Sequence, residues 1–133
     1  MWGRYTQREI RRIHRFARFY ELVSLPFLTV FLLHNRRIHK GYGLTWRRRF
    51  DLAWRMYRNI HTVQTGTSNR AHLAMASKIL EVPPGRQGVL VEAGCWKGGT
   101  TANLSLVADI VGRDLIVYDS FEGLPPPATG ARW

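Results

Sequence analysis

The chain contains one cysteine, Cys95, so an internal disulfide is excluded and a reducing compartment fits. There is no C-x-x-C pair, and the five histidines are scattered, which gives no zinc-site pattern. Acidic residues are scarce: nine Asp and Glu stand against twenty Lys and Arg. The deficit is uneven. Residues 1–62 hold 14 Lys/Arg and 3 Asp/Glu, a net charge of +11, whereas residues 63–133 hold 6 of each and balance. Long hydrophobic runs are missing too. The longest uncharged apolar stretch, residues 22–33, has twelve residues, and a bilayer span needs about twenty. Pro26, near its centre, is expected to bend or break a helix. A signal peptide does not fit, because the basic region before the stretch is long and no small-residue cleavage site follows. No internal repeat and no G-x-G-x-x-G run are present.

What the first half does contain is arginine interleaved with aromatics. Arg4, Arg8, Arg11, Arg12, Arg15 and Arg18 alternate with Ile10, Ile13, Phe16, Ala17 and Tyr20 at helical spacing, which predicts a basic amphipathic helix. Residues 22–33 then allow two readings: a buried hydrophobic hairpin, or a segment dipping into a membrane interface with arginines at the headgroups. Gly41-Tyr42-Gly43 predicts a turn. Thr45 can cap a helix running to about His61, with Trp46, Phe50, Ala53, Trp54, Tyr57 and Ile60 on one face. That face is expected to pack on the core while Arg47, Arg48, Arg49, Arg55 and Arg58 are solvated. The competing reading is a binder of anionic surfaces, lipid headgroups being preferred to nucleic acid because no RNA-binding motif is present. Residues 1–62 thus form a basic, aromatic-rich helical region that is a candidate for contact with an anionic membrane.

Residues 63–133 differ in kind. Val63 to Asn69 is a polar loop whose Thr65 and Thr67 are candidate ligand contacts, although ordinary loop polarity accounts for them as well. Thr67 or Ser68 caps a helix over about 69–81, with Leu73, Ala76, Ile79 and Leu80 as its buried face, and Val82-Pro83-Pro84-Gly85 ends it. Val89-Leu90-Val91 reads as a parallel strand buried on both faces. Cys95 to Gly99 is a glycine-bearing turn, with Gly94 before it. Thr100 or Thr101 can cap the next helix, which Gly112 stops. Leu115 to Tyr118 is a second strand, and Asp119 sits at its carboxyl end. Cys95 is either a reactive thiol near a helix N-terminus or a small turn residue.

This layout suits a ligand outside the carboxyl ends of parallel strands. Glycines let it approach the backbone, and Asp119 can accept ribose hydroxyl protons. The spacing from Gly94 to Asp119 is 25 residues, near the roughly 20 expected for a ribose-binding acid. Glu92, two residues before Gly94, would repel a pyrophosphate. It would suit an ammonium or sulfonium group, and S-adenosylmethionine carries both. A dinucleotide and a plain strand–helix–strand unit without a ligand remain open on spacing alone.

Val91-Glu92-x-Gly94-x-x-x-Gly98-Gly99-x-Thr101, followed by Tyr118-Asp119-Ser120-Phe121-Glu122-Gly123-Leu124-Pro125, resembles the macrocin O-methyltransferase (TylF/MycF-related) family over roughly residues 65–133. The second segment is the more specific. The resemblance implies an α/β, partial Rossmann-like class I methyltransferase fold, its first βαβ unit preceded by the basic helical N-terminal region. It implies S-adenosyl-L-methionine as cofactor and a small-molecule or sugar hydroxyl as acceptor. Glu92 and Gly94 would line the methionine end. Trp96, Gly98, Gly99, Thr100 and Thr101 would wrap the cofactor, Asp119 would hold the ribose, and Ser120 and Phe121 would flank the adenosine.

The family's sheet has seven strands, and the chain ends after two. The family's divalent-metal ligands and general base lie further downstream, so no metal ligand and no catalytic residue can be assigned. The expectation is an N-terminal portion, inactive alone, that is marginally stable or completed by a partner or oligomer. A cytoplasmic location, peripheral at the membrane, fits this reading. The alternative is a basic peripheral membrane or interaction module carrying a remnant nucleotide-binding unit.

Overall fold

The computed structural model describes residues 12, 15, 16, 19, 20, 22, 23, 26, 27, 30, 32 and 34–122. The arginines at 4, 8, 11 and 18, the proline-rich tail and Gly123-Leu124-Pro125 lie outside the described residues.

Three helices and two strands follow one another as α1 (Trp46–Thr62), α2 (Asn69–Glu81), β1 (Leu90–Ala93), α3 (Gly99–Val111) and β2 (Leu115–Tyr118), after a 3-10 turn at Lys40–Tyr42. The described residues from 12 to 34 are also helical. Residues 26 and 27 are among them, so the helix does not end at Pro26. Proline removes one backbone donor. Its side of the helix is exposed, where water can satisfy the freed carbonyl. Leu22, Val23, Phe27 and Val30 are exposed, and only Leu32 of the described positions is buried. The described residues of this stretch are helical, including Pro26 and Phe27 at its centre, where a hairpin would turn. Among the described residues no helix is long and apolar enough to cross a membrane.

The caps follow local chemistry. The Thr45 hydroxyl accepts from Arg48 N at the start of α1, and the Ser68 hydroxyl accepts from Ala71 N at the start of α2. Each such cap satisfies a helix donor that would otherwise be orphaned. Gly112 ends α3, its N–H reaching the carbonyls of Ala108 and Asp109.

The core joins all the helices. Leu32, Ile38, Leu52, Ala53, Met56, Leu73, Ala76, Leu80 and Val107 form one buried cluster. Each large side chain buried there is worth about 1.5–3 kcal/mol. The buried residues of α1 are Leu52, Ala53 and Met56; of the expected face Ala53 is buried and Tyr57 and Ile60 are half-buried, but Trp46, Phe50 and Trp54 are exposed. The reason is steric. α1 packs against both α2 and α3, and alanine with flexible methionine permits close approach where indole rings would hold the helices apart. Residues on both sides of position 62 thus share one core.

β1 and β2 pair in parallel, with Leu90 opposite Leu115 and Ala93 opposite Tyr118. The alternation splits the sheet into two faces. Leu90, Glu92, Leu115 and Val117 point to the covered side, whereas Val91, Ile116 and Tyr118 are exposed. The expectation of a strand buried on both faces fails here. The crossover helix α3 packs on the sheet from one side, and no described element covers the other.

Candidate functional site

The carboxyl ends of the two strands meet in one carboxylate. Gly94 N donates to Tyr118 O at 2.8 Å, the last rung of the ladder. The chain then leaves β1, and the next two amides, Cys95 N and Trp96 N, both donate to Asp119 Oδ2 at 2.7 and 3.0 Å. Asp119 Oδ1 accepts from Phe121 N at 3.0 Å. Asp119 therefore clamps the turn after β1 to the tip of β2. These donors favour the ionised form. The bond from Phe121 N, then those from Cys95 and Trp96, bring the carboxyl down to about 2 from 3.8.

The backbone around the clamp is tense. Trp96 and Phe121 have φ of 48° and 57°, left-handed values that side-chain-bearing residues seldom adopt. Gly94 takes φ 83°, and a Cβ built on it meets nothing within 4 Å. Its surroundings are open, so the glycine serves conformation and approach, not packing. Gly99 is the opposite case. A Cβ there would lie 2.5 Å from Thr65 Cβ and 2.6 Å from Gln64 O, so it serves the close contact between the 63–68 loop and α3. The Lys97 ammonium lies 5.3 Å from the centre of the Trp96 ring and donates to Gln64 Oε1.

Neither threonine caps α3. The N-cap is Gly98, at φ 81° and without a side-chain bond. The hydroxyls are used elsewhere. Thr101 Oγ1 donates to Glu92 Oε2 at 2.6 Å, and Thr100 Oγ1 lies 3.3 Å from His72 Nε2. Glu92 is buried at 8% exposure. Its carboxylate stands at the carboxyl half of β1, tied to the first turn of α3. A buried carboxylate with one short neutral donor suits a neighbouring positive charge.

Cys95 has its thiol pushed up by burial and by the nearby carboxylates of Asp119 and Glu92. That opposes thiolate formation, and the turn-residue reading of Cys95 is the one the geometry favours.

The structure thus brings Glu92, Gly94, Trp96, Thr101, Asp119 and Phe121 around the strand ends. Gly98 and Gly99 shape the start of α3, Thr100 turns toward α2, and Ser120 Oγ accepts from Glu122 N at 3.3 Å. Thr65 and Thr67 form their own turn, with Thr67 N donating to Thr65 Oγ1 at 3.1 Å. Among the described residues, no group of three or more His, Cys, Asp or Glu side chains could hold a metal ion.

A buried polar network behind the turn was missed by sequence reasoning. Asn59 Nδ2 donates to Ala102 O at 3.1 Å and to Asn103 Oδ1 at 3.0 Å. Asn103 Nδ2 faces His72 Nδ1 at 2.6 Å. His72 Nε2 lies 3.4 Å from Thr65 Oγ1 and 3.3 Å from Thr100 Oγ1. The carbonyl of Ala102 fixes the orientation of Asn59, which fixes Asn103, which makes Nδ1 of His72 an acceptor and Nε2 its protonated nitrogen. Burial lowers the His72 pKa from 6.5, so the neutral ring is the one the network holds. The network joins α1, the 63–68 loop, α2 and α3 at the base of the candidate site. The available signal was helical phase: position 72 lies between 69 and 76 on the buried face of α2.

A family model described as macrocin-O-methyltransferase (TylF) matches residues 60–132, more than half of the chain. The comparisons with curated proteins and with solved structures gave no match.

Proposed function

The chain belongs to the macrocin O-methyltransferase (TylF) family, and from that premise we propose that its strand-end site binds S-adenosyl-L-methionine for methylation of a small-molecule or sugar hydroxyl. The observation that carries the reading is the pair of carboxylates, Glu92 on β1 and Asp119 just past the end of the parallel β2, with a glycine turn between them. This is the first unit of a Rossmann-like arrangement, in which ligands sit beyond the strand ends.

The donor set fits the cofactor. Glu92 supplies a buried negative charge for its cationic methionine end. The open approach at Gly94 admits it to the backbone. Phe121, at 75% exposure, presents an aromatic ring to the adenosine side, and Trp96 does so from the turn. Asp119 is more constrained than the sequence suggests. Two backbone donors already occupy Oδ2, so Oδ1 is the oxygen with acceptor capacity left for a ribose hydroxyl. Holding both hydroxyls would require Cys95 N or Trp96 N to release Oδ2. When bound, the cofactor supplies an electrophilic methyl group for a hydroxyl oxygen. Cofactor binding is the share of the reaction assigned to this chain.

A pyrophosphate-bearing dinucleotide fits less well, because Glu92 lies beside the turn where its phosphates would sit. The test is calorimetric titration with S-adenosylhomocysteine of the wild type, Glu92→Gln and Asp119→Ala, with near-ultraviolet circular dichroism as a fold control. Saturable wild-type binding, weakened by about tenfold or more in a folded Glu92→Gln, is expected for the loss of one charge-assisted contact. Equal binding by both would refute the role of Glu92, and no wild-type binding would refute the reading for this chain.

A further inference from the structure

The N-terminal helical segment presents an apolar stripe that the core does not use. Apart from buried Leu32, the described apolar residues from 12 to 34 are exposed. Phe16, Phe19, Leu22, Val23, Phe27 and Val30 are all exposed, Phe16 and Phe27 each at 73%. From Phe16 to Val30 the stripe runs about 21 Å. Arg12 and Arg15 flank one end, and His34, Arg36 and Arg37 flank the other; all are exposed.

The second end opens into a cavity of about 560 Å³ against α2, lined among others by Val30, Arg36, Arg37, Ser77 and Lys78. Three cationic side chains there face a single carboxylate, Glu81, which pairs with Lys78 at 3.1 Å.

We propose that this chain docks on an anionic lipid bilayer, with the stripe lying in the headgroup–acyl boundary and the basic cavity at its end receiving a lipid phosphate. Charge selects this occupant. The whole net charge of +11 resides in residues 1–62, which attract an anionic leaflet. Aromatic side chains between arginines match the boundary where rings bury and guanidinium groups stay with phosphates. The helix lies on the surface and does not span it, since its uncharged run of twelve residues falls short of the about twenty that a span needs. The proposal is independent of the methyl-transfer reading, because none of its residues belongs to the strand-end site.

Co-sedimentation of the full chain with vesicles tests it, using phosphatidylcholine alone and phosphatidylcholine with phosphatidylglycerol. The variants are Phe19→Ser with Phe27→Ser, and Arg36→Gln with Arg37→Gln; all four positions are exposed. The wild type should pellet with the anionic vesicles and much less with the neutral ones. The phenylalanine pair should weaken binding by at least ~10-fold, and the arginine pair should weaken it and flatten its salt dependence. Three outcomes would overturn the proposal: a folded wild type that stays in the supernatant, a phenylalanine variant that binds like the wild type, or a wild-type dimer in sedimentation velocity that the same substitutions dissociate while vesicles are ignored. The last would assign the stripe to a second copy of the chain.

Discussion

Replacing Asn103 by leucine removes one side chain and disturbs four elements. Asn103 is fully buried. Its amide nitrogen faces His72 Nδ1 at 2.6 Å, and its oxygen accepts from Asn59 Nδ2 at 3.0 Å. Leucine has a similar volume, so the cavity cost is small and the loss is polar. Asn59 keeps its bond to Ala102 O at 3.1 Å. His72 Nδ1 keeps nothing, and an orphaned buried acceptor costs about 1–3 kcal/mol, with about 1 kcal/mol more for the second lost bond. Leucine's apolar gain offsets part of this, leaving a net loss of roughly 2–3 kcal/mol. For a chain of this size that lowers Tm by about 8–12 °C. Urea unfolding followed at 222 nm, with the slope held constant, reads the difference. The double variant Asn103→Leu with His72→Leu removes both partners and should be less destabilised than the sum of the singles by about 1 kcal/mol or more. An Asn103→Leu within about 0.5 kcal/mol of the wild type, or a double variant equal to the sum, would refute the network as a source of stability.

The other expectations concern the same region. The depressed folded pKa of His72 means that the unfolded chain binds its proton first, so stability should be full above 6.5 and fall as pH drops below it; urea midpoints at successive pH values would show this, and a His72→Gln variant that kept the same dependence would contradict it. Asp119, depressed to about 2, adds a second loss that begins near 3.8 and continues toward that value. Gly99→Ala forces a Cβ to 2.5 Å from Thr65 Cβ and 2.6 Å from backbone Gln64 O, a clash worth about 1–3 kcal/mol, and an unchanged urea midpoint would refute the close contact. Asp119→Asn removes a negative charge that raises the Cys95 thiol, so iodoacetamide at pH 8 should alkylate Cys95 faster in that variant; an equal rate would show that Asp119 does not govern the thiol.

Much of the second half is legible because its signals are local. β2 begins and ends where Leu115 to Tyr118 predicts. Ser68 and Thr45 cap the helices they precede, and Gly112 stops α3. Cap chemistry and hydrophobic phase act over three or four residues, so the sequence displays them. The buried face of α1 was not legible in that way. Ala53, on the expected face, is buried, but the burial of Leu52 and Met56 in place of Trp46, Phe50 and Trp54 depends on how closely two other helices approach. The cap of α3 was misread for a similar reason: Thr100 and Thr101 have good capping side chains, but His72 and Glu92, distant in sequence, recruit both hydroxyls. Asp119 was found from its position at a strand end, while its bonds to Cys95 N and Trp96 N depend on the left-handed turn at Trp96. The polar network is built from residues 59, 65, 72, 100 and 103, and no spacing rule joins them before the helices are packed.

The central claim is that a cofactor bearing an adenosine and a cationic methionine end sits at the strand tips. Amide chemical shifts of the ¹⁵N-labelled chain, titrated with S-adenosylmethionine, test it most directly. The account predicts saturable shifts concentrated at Gly94, Cys95, Trp96 and Phe121, the last three being the amides bonded to Asp119. A spectrum that does not change, or shifts confined to α2 and the basic cavity, would contradict it.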